Sequence, residues 1–256
     1  MYIGIDIGSL ATKIVLLDHN EKIIDWRSDR STYDFKNVAH NLFMDILTKN
    51  HLSRTDVYVM STGYGRNTID FKNDRITEIT AHARGVQYSF PQARSVIDIG
   101  GQDSKVIIIS SKTGKVIDFQ MNDKCAAGTG RFLEVMARTL EVPINEMGSL
   151  ALKSKKPAAI SSTCTVFAES EVISLFAQKV PKEDIAAGIH QSIAKRVAGM
   201  SKRIGVAPEL VFCGGVAKNI AVKKHLELEL GFEILCPKDP QLTGALGAAL
   251  IALDKS

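Results

Sequence analysis

Apolar, β-branched runs broken by short polar turns occur twice in the chain. The opening run Met1-Tyr-Ile-Gly-Ile-Asp-Ile-Gly8 reads as a strand entering a glycine turn. Ile14-Val-Leu-Leu17 and Lys22-Ile-Ile-Asp-Trp26 follow it, joined by the polar turn at Asp18-His-Asn-Glu-Lys22. Near residue 100 the same order returns, with Val106-Ile-Ile-Ile109, the turn Ser110-Ser-Lys-Thr-Gly-Lys115 and Lys115-Val-Ile-Asp-Phe119. The helical period takes over elsewhere: Phe132, Val135, Met136, Thr139 and Leu140 share one face, and Ile185, Ile189, Ile193, Val197, Met200 and Ile204 form the stripe of a long helix. A short strand at Leu210 to Cys213 runs into Gly214 and Gly215, and the small-residue stretch Thr243 to Leu253 predicts a closing helix.

The two β-rich stretches are copies of each other. Asp6-Ile-Gly-Ser-Leu-Ala-Thr-Lys13 and Asp98-Ile-Gly-Gly-Gln-Asp-Ser-Lys105 share the frame D-I-G-x-x-x-[S/T]-K, 92 residues apart, and the match runs on through the following strands at an offset of 93. Each copy is strand, glycine turn, strand, polar turn, strand. A mixed α/β fold of two similar lobes follows.

Composition narrows the setting. The 256 residues are 45% apolar and 23% charged, with 32 basic and 28 acidic side chains giving a net charge of +4, which excludes disordered and collagen-like chains. The densest basic run, Lys153, Lys155 and Lys156, has no interleaved aromatic residues, so no nucleic-acid partner is expected. The longest apolar stretch, Gly244 to Leu253, is far short of the roughly 20 residues that span a bilayer, so no membrane role is expected. The amino terminus lacks a basic n-region, and the four cysteines form no CxxC pair; a reducing, cytoplasmic setting is expected.

A glycine turn between strands lets backbone N–H groups approach an anion with no Cβ in the way, and a neighbouring hydroxyl adds a donor. Gly8, Ser9 and Thr12 in the first copy and Gly100, Gly101 and Ser104 in the second are therefore candidate phosphate contacts, and Lys13 adds a direct charge. Asp6 and Asp98 would face each other if the lobes are related by a pseudo-twofold axis, and are then candidates to hold a hydrated Mg²⁺. The second turn carries Gln102 and Asp103 where the first has Leu10 and Ala11, which points to hydrolysis, with either residue orienting or deprotonating a water. In Phe212-Cys-Gly-Gly-Val-Ala-Lys-Asn219 the glycines Gly214 and Gly215 would lie flat against an adenine or ribose, with Lys218 close by.

Cys125, in Asn122-Asp-Lys-Cys-Ala-Ala-Gly-Thr-Gly-Arg-Phe132, and Cys164, in Ser161-Ser-Thr-Cys-Thr-Val-Phe-Ala-Glu-Ser-Glu171, both stand where loop gives way to helix. A helix amino terminus favours negative charge and suits a thiolate or the sulfides of an iron-sulfur cluster. Cys213 and Cys236 follow apolar runs and read as core residues. Two cysteines cannot complete a four-thiolate site, so either a symmetric dimer supplies the other pair or both are buried free thiols.

Taken together, the phosphate-1, phosphate-2 and adenosine motifs resemble those of the actin, Hsp70 and sugar-kinase ATPase superfamily. That resemblance implies a two-lobed actin-like fold with a duplicated, ribonuclease H-like core and ATP in the inter-lobe cleft. Residues 1–94 would form the first lobe, completed by a C-terminal helix over 244–256, and residues 95–243 the second. More narrowly, Ser61-Thr-Gly-Tyr-Gly-Arg-Asn67, Val96-Ile-Asp-Ile-Gly-Gly-Gln-Asp103 and the two cysteine segments are similar to the activators (component A) of 2-hydroxyacyl-CoA dehydratases, across essentially the whole chain. The resemblance implies a homodimer holding one 4Fe-4S cluster through Cys125 and Cys164 of both subunits. It also implies that ATP hydrolysis drives an electron from ferredoxin or flavodoxin into a dehydratase or related CoA-ester reductase, with Gly128, Thr129 and Gly130 joining the cofactor-binding residues. A small-molecule kinase of the same superfamily is the enzymatic alternative, and an actin-like, nucleotide-dependent regulatory module the non-enzymatic one.

Overall fold

The structure is a computed structural model and describes residues 1–160 and 164–255. Ser161, Ser162 and Thr163 of the second cysteine segment, and Ser256 of the expected closing segment, lie outside the described residues.

From the amino terminus, β1 (Tyr2–Ile7), β2 (Ala11–Leu17) and β3 (Ile23–Arg30) lead into α1 (Phe35–Lys49), β4 (Tyr58–Thr62), β5 (Asp74–Arg75) and α2 (Glu78–Ser89). The second half holds β6 (Ser95–Ile99), β7 (Ser104–Ile109), β8 (Val116–Asn122), α3 (Gly130–Thr139), α4 (Met147–Ala151), α5 (Thr165–Ala177), α6 (Lys182–Arg203), β9 (Leu210–Cys213) and α7 (Ile220–Leu230). The last element is α8 (Thr243–Asp254). The chain divides into two compact units, one of 1–96, 109–117 and the segment from Pro237 onward, the other of 97–108 and 118–236.

In the first unit the sheet order is β3-β2-β1-β4-β5. β1 pairs antiparallel with β2, setting Asp6 opposite Lys13, and parallel with β4, setting Asp6 beside Thr62. Ile3, Ile5 and Ile7 point to one face and are fully buried under α1, whose Ala39, Phe43 and Ile46 complete that core. The helix starts where the Asp34 carboxylate accepts from the N–H of Asn37. The opposite face is closed by α8, and its small residues explain why it can come so near: a Cβ on Gly4 would lie 1.9 Å from the carbonyl of Ala245, and one on Gly247 1.7 Å from that of Ala81. Only glycine permits backbone to approach at those two points.

The four-stranded sheet has the order β8-β7-β6-β9. Third strand, second, first, then a later arrival is also the order of β3-β2-β1-β4, so the sequence repeat is a repeat of sheet topology. The predicted stripe of α6 is buried from Ile185 through Met200 and joins Phe132, Met136 and Phe212 in one core. One helix departs from ordinary amphipathic design. In α5 Ala168 and Val172 are buried, whereas Val166, Phe167, Ile173 and Phe176 are exposed. Among the described residues no helix is long and apolar enough to cross a membrane.

Candidate functional site

The first glycine turn is a closed strand reversal in which the N–H of Gly8 donates to the carbonyl of Ala11 at 3.1 Å. Ser9 and Leu10 form its tip. A residue outside the motif braces it: Ser31 donates its hydroxyl to the carbonyl of Gly8 at 2.7 Å, and its Oγ lies 3.0 Å from Thr12 Oγ1. Asp6 is 2% exposed, and its Oδ2 accepts from Lys13 Nζ at 3.0 Å across the β1–β2 register.

The second turn repeats this geometry. Gly100 N–H donates to the carbonyl of Asp103 at 3.0 Å, and Lys105, itself buried, reaches Asp98 Oδ2 at 3.3 Å. Here the copies diverge, because Lys105 also donates to Asp103 Oδ2 at 2.7 Å. Asp103 is thus engaged with a buried ammonium, while Gln102 stands exposed at the tip. The turn is also tied to α3: the N–H groups of Gly130 and Arg131 donate to the carbonyls of Gly100 (2.9 Å) and Gly101 (2.8 Å). The first free donors of that helix are therefore occupied by the turn itself. Gly128 and Thr129, just before them, are buried, and Thr129 closes a tight turn onto the carbonyl of Ala126.

A third element of the duplication is invisible in the repeat frame. β4 ends in Thr62-Gly63 and β9 in Cys213-Gly214, and the two glycines have φ of +85° and +86°. A Cβ on Gly63 would fall 2.4 Å from Asp6 Oδ1, and one on Gly214 2.5 Å from Asp98 Oδ1. In each copy a left-handed glycine thus lies flat against the motif aspartate. Four buried side-chain oxygens among the described residues lack a hydrogen-bond partner: Asp6 Oδ1, Thr62 Oγ1, Ser104 Oγ and Thr165 Oγ1. Orphaned buried oxygens are rare, and such atoms mark places where a ligand, ion or water completes the structure. Three adjoin the glycine turns and the fourth follows Cys164. A buried carboxylate oxygen with nothing to accept from is the donor chemistry that a hydrated hard cation such as Mg²⁺ fits.

The Gly214 to Asn219 segment is held from below. Asn219 caps α7 by accepting from the N–H groups of Ala221 (3.0 Å) and Val222 (3.2 Å), and its amide nitrogen faces His190 Nε2 at 2.9 Å. His190 Nδ1 lies 2.6 Å from the carbonyl of Ala186, so the ring is the Nδ1–H tautomer and Nε2 accepts from Asn219. Gly215 and Lys218 are exposed on the outer side. Burial pushes the His190 imidazole down from 6.5 to about 4. The unfolded ring takes a proton near 6.5 while the folded ring stays neutral, so stability present at neutral pH is lost as pH falls through that window, by about 3 kcal/mol near its lower end. The stability gap between wild type and His190→Gln, read by urea unfolding, is expected to narrow from neutral pH to about pH 5. A constant gap would show that the ring takes up its proton equally in both states.

Cys125 and Cys164 are half-buried free thiols. Asn122 shapes the first loop, its amide donating to the carbonyls of Cys125 (2.9 Å) and Ala127 (3.1 Å). Cys164 is the residue immediately before α5 and has extended backbone. α3 and α5 pack on one another, which brings the two helices that follow the cysteines into contact. Cys213 is fully buried, as its apolar strand predicts, whereas Cys236 is half-buried at the edge of the same core, and burial pushes its thiol up.

The duplicated sheet, with a phosphate-type turn in each copy, defines an actin-like ATPase fold. Sequence comparison reaches the same class from another direction: the profile of the BadF/BadG/BcrA/BcrD ATPase family matches residues 3–252. The chain belongs to that family. It is similar to the 2-hydroxyisocaproyl-CoA dehydratase activator of Clostridioides difficile, 48% identical over 99% of this chain and 95% of that one. It is also similar to the (R)-2-hydroxyglutaryl-CoA dehydratase activating ATPase of Acidaminococcus fermentans, 45% identical over 99% and 97%. A solved structure of an activator of the 2-hydroxyisocaproyl-CoA dehydratase from Clostridium difficile with bound ADPNP superposes with a TM-score of 0.93, at 47% identity, covering 100% of this chain and 95% of that one.

Proposed function

We propose that this protein is the ATP-hydrolysing activator of a 2-hydroxyacyl-CoA dehydratase or a related CoA-ester reductase. It works as a homodimer that passes an electron from reduced ferredoxin or flavodoxin to that enzyme. The observation that carries the reading is the direct hydrogen bonding of the second glycine turn to the start of α3, five residues after Cys125. Whatever the turn senses of a phosphate is felt at the cysteine loop. The names of the relatives, dehydratase activators among them, support the same reading.

In this proposal Gly8, Ser9 and Thr12 of the first turn and Gly100, Gly101 and Ser104 of the second contribute to binding ATP phosphates, with Lys13 as counter-charge. The unpartnered hydroxyl of Ser104 suits that role. Asp6 Oδ1 supports the hydration shell of Mg²⁺. Gln102, exposed at the tip, orients the attacking water, and the pairing of Asp103 with Lys105 makes that aspartate the lesser candidate. Gly214, Gly215 and Lys218 face the nucleoside, with Gly128, Thr129 and Gly130 linking the turn to the cysteine loop.

Cys125 and Cys164 of both subunits hold one 4Fe-4S cluster, which supplies a one-electron centre. Two thiolates per chain fit a site completed by symmetry. Val166 and Phe167, two and three residues after Cys164, are 66% and 65% exposed, as suits a helix start that another protein surface covers. Iron and acid-labile sulfide analysis of anaerobically purified protein separates this reading from a kinase or a filament-forming module, both of which would carry no iron.

A second expectation concerns coupling. Because the turn carbonyls cap α3, nucleotide state is expected to change access to the cysteine site: an iron chelator strips iron at rates that differ by roughly tenfold between ADP and a non-hydrolysable ATP analogue at saturation. Equal rates would separate the ATPase from the cluster.

A further inference from the structure

The end of β4 is equivalent to the end of β9, and comparing the two isolates an unassigned position. In the second unit the residue before the left-handed glycine is Cys213, whose thiol donates to Asp98 Oδ1 at 3.8 Å. In the first unit the same place is taken by Thr62, the register neighbour of Asp6 on the adjacent parallel strand. Both residues are buried, Thr62 at 0% and Asp6 at 2% exposure, yet neither Thr62 Oγ1 nor Asp6 Oδ1 has a partner. The hydroxyl is therefore not bonded to the carboxylate beside it. The duplication thus satisfies this pair internally in one unit and leaves it open in the other.

Gly63 and Gly244 lie close against the carboxylate, where a side chain could not. A Cβ on Gly63 would sit 2.4 Å from Asp6 Oδ1, and one on Gly244 3.1 Å from Oδ2. Two orphaned buried oxygens on register neighbours call for a molecule that can donate to both. A water does so, giving one hydrogen to Asp6 Oδ1 and the other to Thr62 Oγ1, and its lone pairs then remain for a cation.

We infer that Thr62 is a positioning residue for the nucleotide-bound divalent cation, holding together with Asp6 a water of its hydration shell. Mg²⁺ keeps several of its waters when it binds protein, so outer partners of those waters set much of its affinity and position. The threonine hydroxyl touches neither nucleotide nor cation directly. This rests on the ATPase reading above but assigns a residue that the phosphate motifs do not contain.

The test uses Mn²⁺ in place of Mg²⁺ and reads binding rather than turnover. ADP affinity is measured with the divalent cation and with a chelator, and Mn²⁺ bound to the ADP complex is counted by EPR, for wild type, Thr62→Val and Thr62→Ser. Valine keeps the shape and removes the hydroxyl; serine keeps the hydroxyl. The valine protein is expected to bind Mn²⁺ roughly tenfold more weakly in the ADP complex, with chelator-state ADP affinity unchanged and serine close to wild type. Mn²⁺ affinity of Thr62→Val within about twofold of wild type, with or without lowered thermal stability, overturns the assignment and leaves a structural water only. If Thr62→Val does not fold, Thr62→Ala decides the matter: Mn²⁺ binding weakened roughly tenfold in the ADP complex with chelator-state ADP affinity unchanged sustains the inference, and Mn²⁺ affinity within about twofold of wild type overturns it. Wild-type protein that binds no ADP would instead sink the ATPase reading itself.

Discussion

Purified without oxygen, Cys125→Ser and Cys164→Ser proteins are expected to lack the visible iron-sulfide absorbance and the EPR signal of the reduced cluster, while Cys213→Ser and Cys236→Ser keep both. The loss should be all-or-none because a cluster shared by two chains loses two of four thiolates at once when one position is changed. The contrast rests on surroundings. Cys213 is sealed in the core with its thiol turned to Asp98, and the Cys236 thiol faces the carbonyl of Ala217 at 3.8 Å in a setting that disfavours the thiolate. Cys125 and Cys164 stand half-exposed where loops enter helices that pack together. Retention of the cluster in both first variants with its loss in the second pair would reverse the assignment.

ATP turnover is expected to fall by roughly 10² or more in Asp6→Ala and Gln102→Ala, with Lys13→Ala also strongly reduced, since under the proposed roles each removes a fixed dipole or charge aimed at the phosphates or the water. Asp6 and Lys13 are a pair, 3.0 Å apart and mostly buried, so either alanine leaves the other uncompensated and part of the loss reflects a disturbed turn. Gln102 is free of that complication because it is exposed at the tip of its turn. Its variant should keep wild-type thermal stability and ADP affinity while hydrolysis drops. Near-wild-type turnover in all three proteins would remove the phosphate role from both turns.

Much of this protein is legible along the chain, because its decisive contacts are local in sequence. The D-I-G-x-x-x-[S/T]-K frame marks a strand, glycine turn and strand in each copy, while the Asp6–Lys13 and Asp98–Lys105 pairs across the hairpins come from the register of the folded strands. The stripe from Ile185 to Met200 follows from the helical period, and the small residues of α8 announce close approach, though not to what. The resemblance to the dehydratase activators likewise rests on short contiguous runs.

Tertiary structure decided what depends on strands distant in sequence becoming neighbours. Thr62 stands beside Asp6 only because β4 pairs with β1, and no spacing rule links positions 56 residues apart on parallel strands. Gly63 and Gly214 share a conformation and a relation to the motif aspartates, although Ser61-Thr-Gly-Tyr-Gly and Phe212-Cys-Gly-Gly-Val share little beyond a glycine. Ser31 and His190 brace their loops through side-chain hydrogen bonds from other elements, a role any polar residue type could hide. The different surroundings of Gln102 and Asp103, adjacent in the chain, separate only when Lys105 turns back across the hairpin and engages one of them. Hydrophobic periodicity and turn chemistry act within a dozen residues and so are written in the sequence; the pairing of polar groups across the sheet is set by which strands become neighbours, and only the folded chain shows it.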